Sequence, residues 1–188
     1  MATTGKFSEF KSKLKYGGAR PSLFEFKVTG APDGVSSTLS DAHLYCNVSE
    51  IPPLTLTPIE RQYLGRTVKI PGDLVFADLS TTIINTESYD VRNEIETWMD
   101  VINETSSNEG LSATDHGTGT AQLIHYQKDG TATMTYTFVD IWPTALTEIA
   151  LSYDTASDIE QFDVTWAYNY YTFAGGTAPS TSSYATQT

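Results

Sequence analysis

Hydrophobic and polar residues alternate along four parts of this chain, and a period of two is the mark of a strand with one buried and one wet face. From Leu23 to Val28 the alternation puts Phe24, Phe26 and Val28 on one side. Thr120–Tyr126 and Thr131–Phe138 are joined through Lys128-Asp129-Gly130. Asp-Gly between two alternating runs predicts a β-hairpin. In the second arm Ala132, Met134, Tyr136 and Phe138 share one face, and Thr131, Thr133, Thr135 and Thr137 share the other. A last run, from about Glu160 to Tyr171, sets Phe162, Val164, Trp166, Tyr168 and Tyr170 against Gln161, Asp163, Thr165, Ala167 and Asn169. Shorter strands are predicted over Ala42–Val48, Thr67–Ile70 and Leu74–Ile84. Pro52, Pro53 and Pro58 lack backbone donors, so residues 50–64 are predicted to be an irregular excursion or an edge.

One stretch changes period. Val91, Ile95, Trp98, Met99 and Ile102 follow the spacing of a single helical face, which predicts a helix over about residues 89–103 that packs through those five side chains. Ser88 is the expected N-cap, and Asp90 suits the positive end of the helix dipole. The opposite face carries Glu94, Glu96, Asp100 and Glu104 and points to water or a partner. Phe7, Phe10 and Leu14 also fall at helical spacing, ahead of the break at Gly17-Gly18. Residues 104–118 read as a long polar loop. Residues 174–188, rich in Gly, Ser and Thr, read as a flexible tail. The expected organisation is a basic arm over 1–20, one β-rich domain over 21–173 and the tail. The predicted class is mainly β, an antiparallel sandwich or barrel-like fold with one flanking helix.

Composition adds a constraint on partners. The 188 residues carry a formal net charge of −12, divided very unevenly. Residues 1–27 hold six of the eleven basic residues and two acidic ones, a net of +4, which leaves −16 for the rest. An acidic body repels phosphate and disfavours tight nucleic-acid binding. The arm (Lys11, Lys13, Lys15 and Arg20 among its cations) is a candidate contact for the acidic body of another copy, or else a solvated terminus. No apolar run is long enough to predict a membrane span. The lone Cys46 excludes an internal disulfide and lies in an alternating segment, as a buried, inert thiol would.

Candidate chemistry is sparse. His43, His116 and His125 have no partner at metal-ligand spacing, so no metal or cofactor is expected. Asp115-His116-Gly117 lacks a nucleophile. Glu94 and Glu96, two apart on a helix, do not face each other. No catalytic residue is nominated. The expectation is a structural protein.

An ordered series of segments then resembles the tail tube proteins of contractile-tailed, T4-like bacteriophages. The segments are Ile70-Pro71-Gly72-Asp73, Trp98-Met99 in the acidic helix, Ile141-Trp142-Pro143-Thr144, Leu151-Ser152-Tyr153-Asp154, and Glu160-Gln161-Phe162-Asp163-Val164-Thr165. The resemblance spans roughly residues 16–173. It implies a strand, a Pro-containing loop, a short strand at 151–154 and a closing alternating strand. It also implies hexameric rings, stacked into a virion tail tube that conducts DNA into the host and is assembled in the host cytoplasm. Six copies would join their sheets into an inner barrel, and stacking would fall to the arm (1–20) and to residues 50–64. Implied partners are other copies, the tail sheath, the baseplate hub, the tape-measure protein and the tail terminator, with DNA passing through without tight binding.

Two polar faces suit such a wall: Thr131, Thr133, Thr135 and Thr137, and Gln161, Asp163 and Thr165. The other reading of those faces is an outer, solvated surface. Alternatives for the whole chain are the tube of a contractile secretion or injection system, and a carbohydrate-binding β-sandwich using Tyr168, Tyr170 and Tyr171 as an aromatic platform.

Overall fold

The computed structural model describes residues 4–14, 17–35, 39, 42–107, 109–110, 117–155 and 158–175. Nine strands and three α-helices are present among them. Helix α1 (Thr4–Lys13) precedes β1 (Phe24–Gly30). A single helical turn, α2 (Ala42–Tyr45), leads into β2 (Cys46–Ser49). Strands β3 (Leu54–Tyr63), β4 (Arg66–Phe76) and β5 (Leu79–Ile84) precede α3 (Asp90–Ile102). Then come β6 (Gly119–Tyr126), β7 (Ala132–Leu146), β8 (Gln161–Ala167) and β9 (Tyr170–Gly175).

Two layers make the body, in the order β1-β6-β7-β8-β5-β2, with β9 also on β7. All pairings are antiparallel. The first layer is β1, β6, the start of β7, and β9. The second is the end of β7, β8, β5 and β2. Inward residues of both layers meet in one core. Phe26, Ala121, Leu123 and Phe138 come from the first layer, and Leu79, Ile83, Phe162, Val164 and Trp166 from the second, all buried. The Phe26 and Trp166 rings meet across the layers at 5.7 Å.

Helix α3 closes the core through buried Val91, Ile95 and Trp98, with Met99 and Ile102 half-buried. The Trp98 ring lies 5.8 Å from that of Trp166, and its Nε1 donates to the Gly117 carbonyl at 2.6 Å. The N-cap differs from expectation. Tyr89, with φ 57°, occupies it and has no side-chain capping bond. Ser88 instead turns its hydroxyl to the Asp90 carboxylate. The carboxylate is the better acceptor, and this leaves the free first-turn amides to other partners.

A coupled bend lets two strands serve both layers. Asp140 of β7 takes a left-handed φ of 55°. Opposite it, Asn169 interrupts the long strand made by β8 and β9, and its Nδ2 donates to Asp140 Oδ2 at 2.8 Å. A bulge shifts side-chain parity by one. Inward positions on β7 pass from Phe138 to Ile141, and on the partner from Tyr168 to Tyr171. The expected single face through Tyr170 is thereby broken: Tyr170 is exposed, and Tyr171 packs on Phe138 and Tyr136.

Other sequence expectations are corrected by tertiary context. The strand expected over 42–48 begins as α2. Thr131 lies in the turn ahead of β7, its amide bonded to Asp129. β7 does not break at Pro143 but runs to Leu146. Its partner β6 ends opposite Ile141, so the later part has an open edge that tolerates proline. Leu151–Asp154 is not a strand; it is an exposed connection with a 3-10 turn at Tyr153–Thr155. Residues 50–76 depart most. β3 and β4 form a separate two-stranded ribbon that stands off the body with every residue of β3 exposed. Pro58 and Pro71 sit opposite each other at its register shift, where a bulge accommodates missing donors.

Candidate functional site

With no catalytic cluster to build, the functional surface of this molecule is its exterior. Among the described residues no group of His, Cys, Asp and Glu is placed to hold a metal. His125 donates through Nε2–H to the Arg20 carbonyl at 2.9 Å. Burial pushes the Cys46 thiol up to about 12, so at neutral pH it is a protonated, unreactive group. Asp115 and His116 lie outside the described residues.

Four surfaces stand out. The first is the outer face of the first layer. Thr133, Thr135 and Thr137 of β7 stand there beside Gln122 and Ile124 of β6 and Thr172 of β9, following the register Thr137↔Gln122, Thr135↔Ile124 and Thr137↔Thr172. Glu25 and Lys27 of β1 share the face and cancel in charge. Both outer strands, β1 and β9, have an edge without a strand partner among the described residues.

The second is the outer face of the other layer, with Gln161, Asp163 and Thr165 on β8 opposite Ile84, Thr82 and Ser80 of β5. Thr82 donates to Asp163 Oδ1 at 2.6 Å. Because the two layers pack by their inner faces, their outer faces look away from each other. The seven polar residues read together in the sequence are therefore not brought together. Three lie on one side, three on the other, and Thr131 in the turn belongs to neither strand.

The third surface is the arm. Helix α1 exposes Phe7 and Phe10 (72% and 62%) and is flanked by Lys6, Lys11 and Lys13. Lys13 is paired with Glu9 at 2.7 Å. Arg20 is exposed, and Lys15 lies outside the described residues.

The fourth is the ribbon; the sequence pattern predicts 50–64 as an irregular excursion or an edge and 67–70 as a strand, but does not pair them. The available signal was the alternation of Leu54 and Leu56 on one side of Leu64-Gly65 and of Val68 and Ile70 on the other, obscured by the prolines. Apolar residues lie along both its faces, about half-exposed.

The aromatic platform of a carbohydrate-binding module is absent. Tyr168 is buried with its hydroxyl on the Ala77 carbonyl at 2.6 Å, and Tyr171 is packed in the cluster with Phe76 and Phe138, leaving Tyr170 alone outside.

Comparison with known proteins bears on what such an exterior is for. The profile of the phage tail tube protein family matches residues 8–174. The chain belongs to that family. The tail tube protein gp19 of Enterobacteria phage T4 is 25% identical over 158 residues, covering 81% of this chain and 90% of gp19. The tail tube protein of Serratia phage KSP90 is 27% identical over 165 residues, covering 86% and 92%. Among solved structures, a chain of the sheath–tube complex of an extracellular contractile injection system superimposes with a TM-score of 0.59 at 17% identity, over 94% of this chain and all of that one. The anti-feeding prophage tube-terminating cap gives 0.62 at 14% identity, over 84% and 91%. At those identities the likeness is one of fold. The tail tube fold is thus a mainly antiparallel β-sandwich with a flanking helix, and the chain is a structural tube protein.

Proposed function

We propose that this tail tube protein assembles into hexameric rings that stack into the tube of a phage tail, and that DNA leaves the virion through it. The observation that carries the proposal is the first layer. It offers two open strand edges, seven residues long on β1 and six on β9, on one sheet with a hydroxylic, charge-balanced outer face. Edge-to-edge joining of β9 on one copy to β1 on the next removes both exposed edges at once. A heterologous contact of that kind closes into a ring when its rotation divides the full turn evenly.

The same geometry favours the first of the two polar faces. The second layer ends on β2, only four residues long, which is a poor edge for a continuous barrel. Thr133, Thr135 and Thr137 then line the lumen, and Gln161, Asp163 and Thr165 face outward, where a sheath would lie. Hydroxyls and cancelling charges give phosphate little to hold. The arm, with Lys11, Lys13, Lys15 and Arg20, docks on the acidic body of a copy in the adjacent ring. Partners beyond the chain itself are the sheath, baseplate hub, tape-measure protein and tail terminator, and the site of action is the phage tail. The phage reading stands ahead of a protein-conducting injection tube because the sequence relatives are phage tail tube proteins.

The test places lysine at Thr133 and Thr135 in one variant and at Thr82 and Thr165 in another. Six copies per ring turn the first pair into positive belts that hold phosphate. DNA ejection slows in that variant, most at low salt, and is normal in the second. The reverse result moves the lumen to the other sheet. Normal ejection from both, with intact tubes, removes both faces from the lumen.

A further inference from the structure

The inner face of the first layer is not covered along its whole length. Rows of side chains run across β1, β6, β7 and β9 in the paired register. In the row Val28, Ala121, Phe138 and Tyr171 the first three are buried and the last is half-buried. One row on, Phe26 and Leu123 are buried, but Tyr136 is only half-buried and Phe173 is 65% exposed. In the last row Phe24, His125 and Met134 are half-buried and Gly175 is exposed. Cover is lost toward one end of the sheet, the end at which β1 begins and β9 stops.

A trough lies at that end. A cavity of about 380 Å³ is lined by Pro21, Phe24, Leu123 and Tyr136, and by Ser49 and Ile51 where β2 ends. A smaller one of about 210 Å³ shares Ala19 and His125 with it and extends to Thr133. Thr133 marks the exit of β9: Gly175 has φ 114°, and a Cβ there would sit 2.2 Å from the Thr133 carbonyl oxygen. The adjoining cavities thus lead from the last residue of β9 to Ser49. The larger one is mainly apolar in its lining, with one polar defect. Ser49 Oγ is buried with no hydrogen-bond partner among the described residues. Buried hydroxyls are almost always paired, so this wall calls for a polar group from elsewhere.

Residues 176–188 follow Gly175 in the chain and lie outside the described residues. The family profile ends just ahead of them, at residue 174. The segment carries no charged side chain, so the acidic body does not repel it, and Tyr184 is its one aromatic residue. We propose that this segment lies along the trough of its own copy and seats Tyr184 in the larger cavity. The ring packs against Phe24, Tyr136 and Ile51, and the hydroxyl pairs with Ser49 Oγ. A mainly apolar slot with one unpaired hydroxyl in its wall suits a phenol, which brings an apolar ring and a polar tip. The Ser and Thr residues that fill most of the segment bring no such ring. The reach is sufficient. From β9 across to β1 is three strand spacings, about 14 Å, and the chain from Gly175 to Tyr184 extends to about 30 Å. Attachment to the same copy holds the tyrosine at an effective concentration on the order of millimolar. The segment thereby covers the end of the first layer that the second layer leaves open. Nothing in this proposal depends on the tube reading.

The experiment uses the full chain with p-azidophenylalanine in place of Tyr184, as an equal mixture of isotopically light and heavy copies. Photo-adducts are expected within one copy, on residues 21–24 or 49–51. Adducts elsewhere on the body, adducts that join light to heavy copies, or no adducts overturn the proposal. A second measurement keeps the natural side chains and follows, by mass spectrometry, cleavage after Ala185 by a protease specific for small residues. Cleavage tracks the undocked fraction when docking is fast. Tyr184→Ser removes the buried ring and should speed cleavage at least about tenfold. Tyr184→Phe removes only the hydroxyl bond and should speed it about threefold. In a Ser49→Ala background the partner is already gone, so Tyr184→Phe should add little. Equal cleavage of wild type and Tyr184→Ser overturns the docking, and a Tyr184→Phe effect that Ser49→Ala leaves unchanged overturns the pairing with Ser49.

Discussion

The sandwich body and the ribbon carry the same kind of sequence, apolar residues every second position, and meet opposite fates. In the body the apolar side of each strand finds another layer within the same chain, so Phe26, Phe138, Phe162 and Trp166 are fully buried. In the ribbon Leu54, Leu56, Ile59 and Ile70 stay about half-exposed because only two strands are present and nothing among the described residues lies over them. Alternation therefore encodes strand geometry and an apolar face, but not whether that face is covered by the chain itself or by another molecule. The body's apolar faces are covered within the chain, and the ribbon's stay open among the described residues. A large substitution effect on the folding of the subunit belongs to the first region, and a large effect on assembly with little effect on folding belongs to the second.

The strongest contrast comes from Trp98. Its ring is fully buried, packs at a tilt against Trp166 and donates to the Gly117 carbonyl. Trp98→Ala is expected to cost about 3–5 kcal/mol of subunit stability in chemical denaturation. A loss below about 1 kcal/mol would mean that α3 contributes little to the core.

The paired bend is expected to matter less. Asn169→Ala removes the bond to Asp140 and leaves a left-handed aspartate without that partner, for about 0.5–1.5 kcal/mol. Asp140→Gly relieves the backbone as it removes the bond, so its cost should be smaller than that of Asn169→Ala. If Asp140→Gly is instead the more damaging of the two, relief of the left-handed backbone at Asp140 does not offset the loss of its side chain.

Leu56→Ser on the ribbon should change the unfolding free energy of the unassembled subunit by less than about 0.5 kcal/mol, as exposed positions do. A cost of 2 kcal/mol or more, on the order of a buried leucine, would erase the contrast between the two regions by placing Leu56 in the subunit's own core.

The smallest effect is electrostatic. Hydrogen bonds from Asn85 and Tyr89 hold Glu160 below the usual carboxylate range. A depressed carboxylate stabilises the fold above its unfolded pKa and loses that contribution as pH falls through the folded value. Glu160→Gln should therefore be slightly less stable than wild type near neutral pH, and the difference should close below about pH 4. A difference that persists in acid would assign the effect to packing.

The sequence by itself determined part of the body's core and which helix covers it. Phe26, Phe162, Val164, Trp166, Val91, Ile95 and Trp98 follow from period alone, because burial of an apolar face against a second layer is a local instruction repeated along each element. The segments resembling tail tube proteins were legible for the same reason, as an ordered run of such elements. Tertiary structure alone decided three things. Pro58 and Pro71 read as breaks, yet pairing places them opposite each other at a bulge, and donors that a ribbon edge does not use are not missed. The parity change at Asp140 and Asn169 needs two bends, 29 residues apart in the chain, held by one side-chain bond. And the Thr133 and Asp163 faces, alike in polarity, fall on opposite outer surfaces because that choice depends on which strands β7 and β8 pair with. Strand pairing is a non-local contact, and a period of two says only that a face exists, not which way it looks.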